Sequence, residues 1–368
     1  MSEFAAIAPR LLAWAQRHGR HDLPWQREVN AYRVWVSEIM LQQTQVAIVI
    51  PYFERFMQAL PDVVSLADAP LDAVLAHWSG LGYYARARNL HKAALIVRDQ
   101  FDGELPANCE ALEALPGIGR STAAAILALA HGQRHAILDG NAKRVLARYH
   151  AVPGWPGETK VARRLWTLAE QHTPEADVAA YTQAIMDLGA MVCTRGRPQC
   201  DVCPLADTCQ ACQDGMVTDY PGARPRRNQP VRQAVYAVVR NDRGKILLQK
   251  RPPAGIWGGL WCLPEWDSEN SCRRWMDTHW PQAGTGVERL ETIEHTFTHF
   301  RLQFRPLRID VGDNGRDAVS DAGECDWYSP EDALKLGLPV PVRTLLETLQ
   351  TINEETEHDA HGALRKTG

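Results

Sequence analysis

Four cysteines, Cys193, Cys200, Cys203 and Cys209, follow one another at the spacing Cys-x6-Cys-x2-Cys-x5-Cys. Four soft thiolates on one short loop suit zinc or an iron–sulfur cluster, and spacing alone leaves both open. Cys212, three residues beyond Cys209, competes for the fourth place. Between the first two cysteines, Thr-Arg-Gly-Arg-Pro-Gln sets Arg195 and Arg197 on the loop, either as phosphate contacts or as solvated surface charges.

Two carboxylates come next. Glu38 lies in VWVSEIML among Val34, Trp35, Ile39 and Leu41. Poor solvation there would raise its pKa and let it hold a proton at neutral pH; the alternative is a helix-face Glu turned to water. Asp139, in HAILDGNAKRVLAR, ends an apolar segment and opens a helix. It reads as an N-cap whose charge the helix N–H groups would stabilise. A neutral Glu and an ionised Asp facing one pocket are the acid and the cation stabiliser that cleavage of a glycosidic bond requires.

The third feature is Leu-Pro-Gly-Ile-Gly-Arg at 115–120, with Gly117 and Gly119 between a helix expected over 109–115 and the small-residue helix STAAAILALA. Two helices joined by a Gly-x-Gly turn aim backbone N–H groups at an anion such as a DNA phosphate, where a plain connector would not.

These residues need elements to hold them. Up to about residue 190, apolar residues recur three or four apart, as in 34–50, 71–78, 121–130 and 141–149, which predicts an almost all-α N-terminal domain over 1–215. From Pro221 to Pro230, PGARPRRNQP contains no large apolar side chain, and 216–230 reads as a linker. Beyond it, 233–240, 245–251, 295–310 and 325–330 alternate or are rich in β-branched and aromatic residues, with turns at 241–244 and around Gly312. That predicts a β-rich second domain over 231–350 with short helices near 268–279 and 340–350. The polar, acidic residues 351–368 are expected to be a disordered tail.

Composition agrees. The 368 residues are 45% apolar and 23% charged, about twice the usual single-domain size. No apolar run approaches the ~18 residues of a membrane span, and MSEFAAIAPR lacks a signal-peptide core, so a soluble cytoplasmic protein is expected. Five of the nine cysteines fall within 193–212, unlike a secreted disulfide framework. The net charge of −4 is unevenly spread: residues 216–250 hold 8 basic and 2 acidic side chains, so it does not exclude DNA.

With Glu38 before Gln42-Gln43, then GLGYYARARNLHKAA, LPGIGRSTAAAI, LDGNAKRV, the cysteine loop and finally HTFTHF, the chain resembles the MutY-type adenine DNA glycosylases of the endonuclease III superfamily over nearly its whole length. The resemblance implies an all-α helix–hairpin–helix glycosylase domain with a four-cysteine cluster loop, and a C-terminal α+β Nudix-like domain. It implies one four-iron four-sulfur cluster on Cys193, Cys200, Cys203 and Cys209, and as partner a duplex with an 8-oxoguanine·adenine or guanine·adenine mispair, bound by a monomer with no membrane role. In such enzymes Glu38 would protonate the flipped adenine at N7, and Asp139 would steady the oxocarbenium-like sugar. Gln42 and Tyr83 match wedge residues that fill the emptied stack, although a core Tyr is the plainer reading of Tyr83. Leu23, Trp25, Gln43 and Gln183 match positions around the adenine pocket, Gln183 standing where some relatives carry Glu.

Bifunctional relatives place a Schiff-base Lys directly after Gly-x-Gly-Arg; here that residue is Ser121. The resemblance therefore implies a monofunctional glycosylase, with Lys143 at most a source of incidental lyase activity. In the second domain the Nudix pattern aligns Gly259, Glu265 and Arg273, but Arg274 stands for its first helix Glu and Asp277-Thr278 for its Glu pair. Those glutamates hold the divalent metal, so binding without hydrolysis is expected. Phe297-Thr298-His299 corresponds to the Phe-Ser-His hairpin that recognises 8-oxoguanine. Two other classes stay open at this point: a Nudix-type nucleotide hydrolase with a DNA-binding appendage, and a non-catalytic iron–sulfur DNA-binding protein, which would have no use for Glu38 and Asp139.

Overall fold

Apolar residues three and four apart build the helices expected before residue 190: α1 (Ile7–His18), α2 (Ala31–Leu41), α3 (Val46–Ala59), α4 (Val63–Asp68), α5 (Leu71–Trp78), α6 (Ala85–Gln100), α7 (Cys109–Glu113), α8 (Arg120–His131), α9 (Gly140–Tyr149), α10 (Thr159–His172) and α11 (Val178–Asp187). The computed structural model describes residues 7–225, 228–281, 286–312 and 324–351. The tail read as disordered lies, beyond residue 351, outside them.

By its contacts the chain divides into two compact units, Met1–Asp68 with Asn89–Arg226, and Ala69–Arg88 with Arg227–Gly368. In the first, α8 is the axis. Ala123 to Ala128 are all buried, and the alanines let α2 and α11 pack closely against it. Gly132, in the left-handed conformation, ends the helix. A second core, with Ile7, Leu11, Leu146, Leu165, Ile185 and Leu188, seats α9. Each such side chain contributes ~1.5–3 kcal/mol of burial.

The second unit is a mixed sheet. Its strands are β1 (Val231–Asn241), β2 (Ile246–Lys250), β3 (Trp261–Cys262), β4 (Glu265–Trp266), β5 (Val287–Arg289), β6 (Ile293–Thr296), β7 (Arg301–Val311) and β8 (Cys325–Tyr328). The central path is β3-β2-β1-β7-β5, with β4 on β1, β6 on β7 and β8 on β2. β1 runs parallel to β7 from Val231 opposite Arg301 to Asn241 opposite Val311. Alternation then separates two faces. Ala237 and Val239 pack with Cys272 and Met276 of α12 (Glu269–His279) and with Trp280 just past its end, while Val238 faces the helix at 340–351 through Leu346. Residues 295–310, expected as one strand, are broken at 297–300, where the Phe297 N–H returns to the Phe300 carbonyl and closes a hairpin.

Residues 69–88 join this second unit by specific contacts. The Tyr84 hydroxyl donates to the Leu338 carbonyl at 2.8 Å, Arg88 to the Gly258 carbonyl at 2.8 Å, and Lys250 pairs with Asp72 at 2.7 Å. A β-carbon at Gly337 would lie 3.0 Å from the Leu75 β-carbon, so only glycine lets α5 lie so close. The stretch read as a linker is anchored at its start: the carbonyls of Val217 and Tyr220 accept hydrogen bonds from Arg148 Nε.

Candidate active site

A cleft of about 1230 Å³ in the helical unit is lined by Glu38, Asp139, Leu23, Trp25, Gln42, Gln43, Ser121, Gln183 and Arg195, residues drawn from six separate stretches of sequence. Glu38 is the one acidic residue of α2, with Val34, Trp35, Val36, Ile39 and Met40 buried around it. Its carboxyl therefore meets the cleft and little else. Burial, and then the negative charge of Asp139, push its pKa up to about 8. At neutral pH it is a protonated acid.

Asp139 caps α9. Its Oδ1 accepts the Ala142 N–H at 2.7 Å, and its Oδ2 accepts Nδ2 of Asn141 at 3.1 Å. Both oxygens are held by donors, as suits a carboxylate. Asn141 is held in turn, its Oδ1 accepting Arg144 Nη2 at 2.9 Å. Ser121 closes this corner by accepting the Leu138 N–H at 3.0 Å.

The neighbouring positions surround an aromatic wall. Trp25 is buried edge-on to Phe53, ring centres 5.5 Å apart, and Leu23 is buried beside it. Gln42 ends α2, and Gln43 takes a left-handed backbone (φ 59°) that turns the chain along the cleft. Gln183 donates Nε2 to Oδ1 of the buried Asp187 at 2.8 Å, and Asp187 is clamped by the Arg20 backbone N–H and Nε, each at 2.8 Å. With its amide nitrogen committed, Gln183 keeps its carbonyl oxygen as an acceptor. Arg20, Asp187, Asn141 and Arg144 were not singled out in the sequence. An Asn two residues after a capping Asp was the available signal for Asn141; Arg20 and Asp187 lie 167 residues apart.

At the hairpin, Gly117 (φ 83°) turns between α7 and α8. A β-carbon there would come within 2.8 Å of the Asn89 side chain, whereas Gly119, exposed at the start of α8, has open space above it. No side chain caps α8, which leaves its first N–H groups to an outside acceptor. Lys143 is half-buried on the first turn of α9.

After α11 a π-turn (Leu188–Val192) leads into the cysteine loop. Arg144 donates to the carbonyls of Cys193 and Gly189, and the buried Arg148 donates Nη1 to Cys193 Sγ at 3.3 Å and to the Thr194 carbonyl at 2.7 Å. A β-carbon on Gly189 would lie 2.5 Å from the Asn141 β-carbon and 2.9 Å from its α-carbon. Arg195 and Arg197 are exposed, and the Arg197 carbonyl accepts the Thr194 hydroxyl at 2.7 Å. Cys193, Cys200, Cys203, Cys209 and Cys212 are half-buried free thiols; burial first, and then the neighbouring thiols, push the pKa values of Cys200, Cys203 and Cys209 up. Among the described residues no three His, Cys, Asp or Glu side chains converge on a point that would hold a single metal ion.

In the second unit, Tyr83 is exposed with a left-handed backbone (φ 50°), and the Arg86 guanidinium sits 5.3 Å from its ring centre. It is not a core tyrosine. Phe297 is half-buried at the hairpin, stacked on Phe300 at 4.5 Å and beside Trp257 at 5.4 Å, while Thr298 and His299 are exposed at the turn. Gln229 Nε2 donates to the carbonyls of Phe297 and Thr298 and fixes the turn from below.

Comparison with known proteins places this geometry. An adenine DNA glycosylase of Buchnera aphidicola subsp. Schizaphis graminum is 35% identical over 337 residues, which cover 92% of this chain and 96% of that protein. The human adenine DNA glycosylase is 34% identical over 369 residues, 83% of this chain and 67% of its own length. This chain belongs to the adenine DNA glycosylase family. The glycosylase is accordingly a base-excision repair enzyme, a hydrolase of N-glycosyl bonds. Its residues 36–171 match the HhH-GPD superfamily of base excision DNA repair proteins, and residues 235–348 match the NUDIX domain family. A thermostable thymine-DNA glycosylase shares the helical fold with a TM-score of 0.52 and 26% identity over 56% of this chain and 95% of its own. An endonuclease III solved in a non-covalent complex with DNA shares the fold alone, with a TM-score of 0.50 and 21% identity over 59% of this chain and 99% of its own. No helix among the described residues is long and apolar enough to cross a membrane.

Proposed function

We propose that this glycosylase, a monomer in the bacterial cytoplasm, removes adenine paired with 8-oxoguanine, or with guanine, in duplex DNA and leaves the strand intact. The observation that carries the reading is the pairing of Glu38, a carboxyl held protonated at neutral pH, with the doubly hydrogen-bonded Asp139 in one cleft. Glu38 gives its proton to N7 of the flipped adenine, and the C1′–N9 electron pair leaves with the base. The Asp139 carboxylate stabilises the positive charge that develops on the sugar. Water adds to C1′, and the Glu38 carboxylate takes the proton it loses. Gln183 accepts a hydrogen bond from the base, Leu23, Trp25 and Gln43 enclose it, and Gln42 and Tyr83 fill the emptied step. The hairpin N–H groups, Arg195 and Arg197 hold phosphates. Ser121 offers no amine for a Schiff base, so the product is an abasic site.

Cys193, Cys200, Cys203 and Cys209 would hold a four-iron four-sulfur cluster. The donor set fits: soft, half-buried free thiols on one short loop, with the buried Arg148 donating to one sulfur and supplying a compensating charge. When bound, such a cluster would tie the loop carrying Arg195 and Arg197 into one piece.

The Nudix-like unit reads the 8-oxoguanine through Phe297, Thr298 and His299 and does not hydrolyse nucleotides. What supports this is the state of Glu265, the one glutamate of the Nudix pattern that remains. It accepts from Arg232 at 2.7 Å, from the Tyr236 hydroxyl at 3.1 Å and from Arg251, and so is committed to two cations rather than free for a metal. The test is a duplex with a single 8-oxoguanine·adenine pair, assayed with and without alkali. Adenine release with nicking only after alkali is expected; no release, or release of the base opposite, sinks the reading. Hydrolysis of 8-oxo-dGTP at a comparable rate would restore the nucleotide hydrolase.

A further inference from the structure

Trp78 closes α5 and is fully buried, and the chain then turns through Gly80 (φ 99°), Gly82 (φ 77°) and Tyr83 (φ 50°) before α6 begins. Two glycines take the left-handed region freely; an aromatic residue takes it at a cost, and keeps it only where its surroundings hold it. Those surroundings are specific. Ser79 Oγ and the Tyr84 hydroxyl both donate to the Leu338 carbonyl, at 3.3 and 2.8 Å, which ties both ends of the turn to Leu338. In the middle, the Gly82 carbonyl accepts Trp78 Nε1 and Arg86 Nη2, each at 3.1 Å. The Arg86 guanidinium lies over the Trp78 ring, 5.4 Å from its centre, and over the Tyr83 ring at 5.3 Å. Arg86 is only 9% exposed, whereas Tyr83 is 49% exposed. A guanidinium so covered has little surface left for a phosphate, and a ring held by one face offers the rest of its surface outward.

We propose that Arg86 is the positioning residue of the wedge: laid over Trp78 and bonded to the Gly82 carbonyl, it holds the Tyr83 ring ready to enter the emptied step before DNA arrives. The inference rests on the reading of Tyr83 as a wedge. Burial lowers the Arg86 pKa to about 10, which leaves the guanidinium charged at neutral pH and able to attract the electron-rich faces of both rings. A planar cation suits the place, since its face can meet a ring while its edge donates to a carbonyl. Lysine would keep the charge and lose the plane. A ring fixed on folding has less freedom to lose on binding, so a wedge held in advance opens the step at lower cost.

The test is a double-mutant cycle on the full-length protein with Tyr83→Ala, Arg86→Lys and the two combined, run well below the melting temperature of every variant. Two quantities are read: single-turnover excision from the 8-oxoguanine·adenine pair, and the fluorescence of 2-aminopurine placed beside that pair, which rises when the step is unstacked. Arg86→Lys in wild type should lower excision by about tenfold and remove most of the fluorescence rise. In Tyr83→Ala the same substitution should change neither, because the ring it holds is gone. A loss of the same size in both backgrounds overturns the positioning role and leaves Arg86 a structural residue, as does a fluorescence rise in Arg86→Lys equal to that of wild type. Tyr83→Ala that excises and unstacks like wild type overturns the wedge itself, a separate failure. Should Arg86→Lys prove insoluble, Trp78→Phe takes its place in the cycle: it removes one donor from the Gly82 carbonyl and trims the ring under the guanidinium, and the same outcomes decide.

Discussion

Asn141 points its amide nitrogen at Oδ2 of Asp139, 3.1 Å away, while its carbonyl oxygen accepts Arg144. The carboxylate is thus held at one oxygen by the first turn of its own helix and at the other by a side chain that is itself pinned. Asp139→Asn tests charge apart from shape. Asn caps a helix as well as Asp, so the melting temperature should change little. Single-turnover excision should fall by at least ~10²-fold, because the stabiliser of the cationic sugar is gone. A large drop in melting temperature with excision retained would make Asp139 a cap and nothing more.

Glu38→Gln should lower excision by ~10²–10⁴-fold while mispair binding persists, since the amide fills the same space without a proton to give. The wild-type rate should fall as pH rises through about 8, where the acid loses its proton. Stability follows the same group. Its pKa is higher in the folded protein than in the unfolded chain, so the folded state is progressively disfavoured from about pH 4.5 to about pH 8. Glu38→Gln lacks that penalty, and its melting temperature should gain on wild type across this window. A constant difference between the two would mean that Glu38 is an ordinary solvated carboxylate.

His150 and His172 join the C-terminal ends of α9 and α10 through a hydrogen bond between their Nε2 atoms, 2.7 Å apart. One ring must be neutral to accept it. Burial, then the charges of His172 and Arg164, hold the His150 pKa down at about 4. Because the unfolded imidazole binds its proton near pH 6.5, this stability is present above about pH 6.5 and is lost as pH falls toward 4. Urea melts at pH 7 and pH 4.5 should show the loss in wild type and a smaller one in His150→Gln.

Ser121→Lys should bring an amine into the cleft beside Asp139 and convert the enzyme to a lyase that borohydride traps on DNA. The Leu138 N–H loses its acceptor, at ~1–3 kcal/mol, so trapping is best done well below the melting temperature. Strong trapping by wild type that vanishes in Lys143→Ala would move the reactive amine to α9.

Phe297→Ala with Thr298→Ala should weaken the preference for 8-oxoguanine over guanine opposite adenine while leaving excision from the guanine pair largely intact. Deleting residues 231–368 is a poorer test, because Tyr84, Arg88 and Asp72 would lose the partners that hold them. Equal loss on both substrates in the point variant would give the hairpin a general role in DNA affinity.

Glu38 and Asp139 were legible because each breaks a local rule or satisfies one: a lone carboxylate inside an apolar helix, and an Asp at the junction of an apolar segment and a helix. The hairpin and the cysteine loop were legible from spacing. The Gln183–Asp187–Arg20 chain was not, since its closing contact spans 167 residues and no local pattern announces it. Two-residue strands such as β3 and β4 carry too few positions for alternation to show. The attachment of 69–88 to the sheet unit depends on Leu75 meeting Gly337, a fit of one glycine to one side chain that periodicity does not encode.

Gly189 carries no reacting group, yet its α-carbon lies against Asn141 so closely that one added methyl would have to displace that residue's backbone. Asn141 is two positions from Asp139, and a shift of about 1 Å at a catalytic group can remove ~10²-fold of rate. An inherited Gly189→Ala change would look conservative by any measure of size or polarity. The expected product is a folded repair enzyme that leaves the mispaired adenine in place, its rate lost through a carbon atom of a π-turn and not through a reacting group.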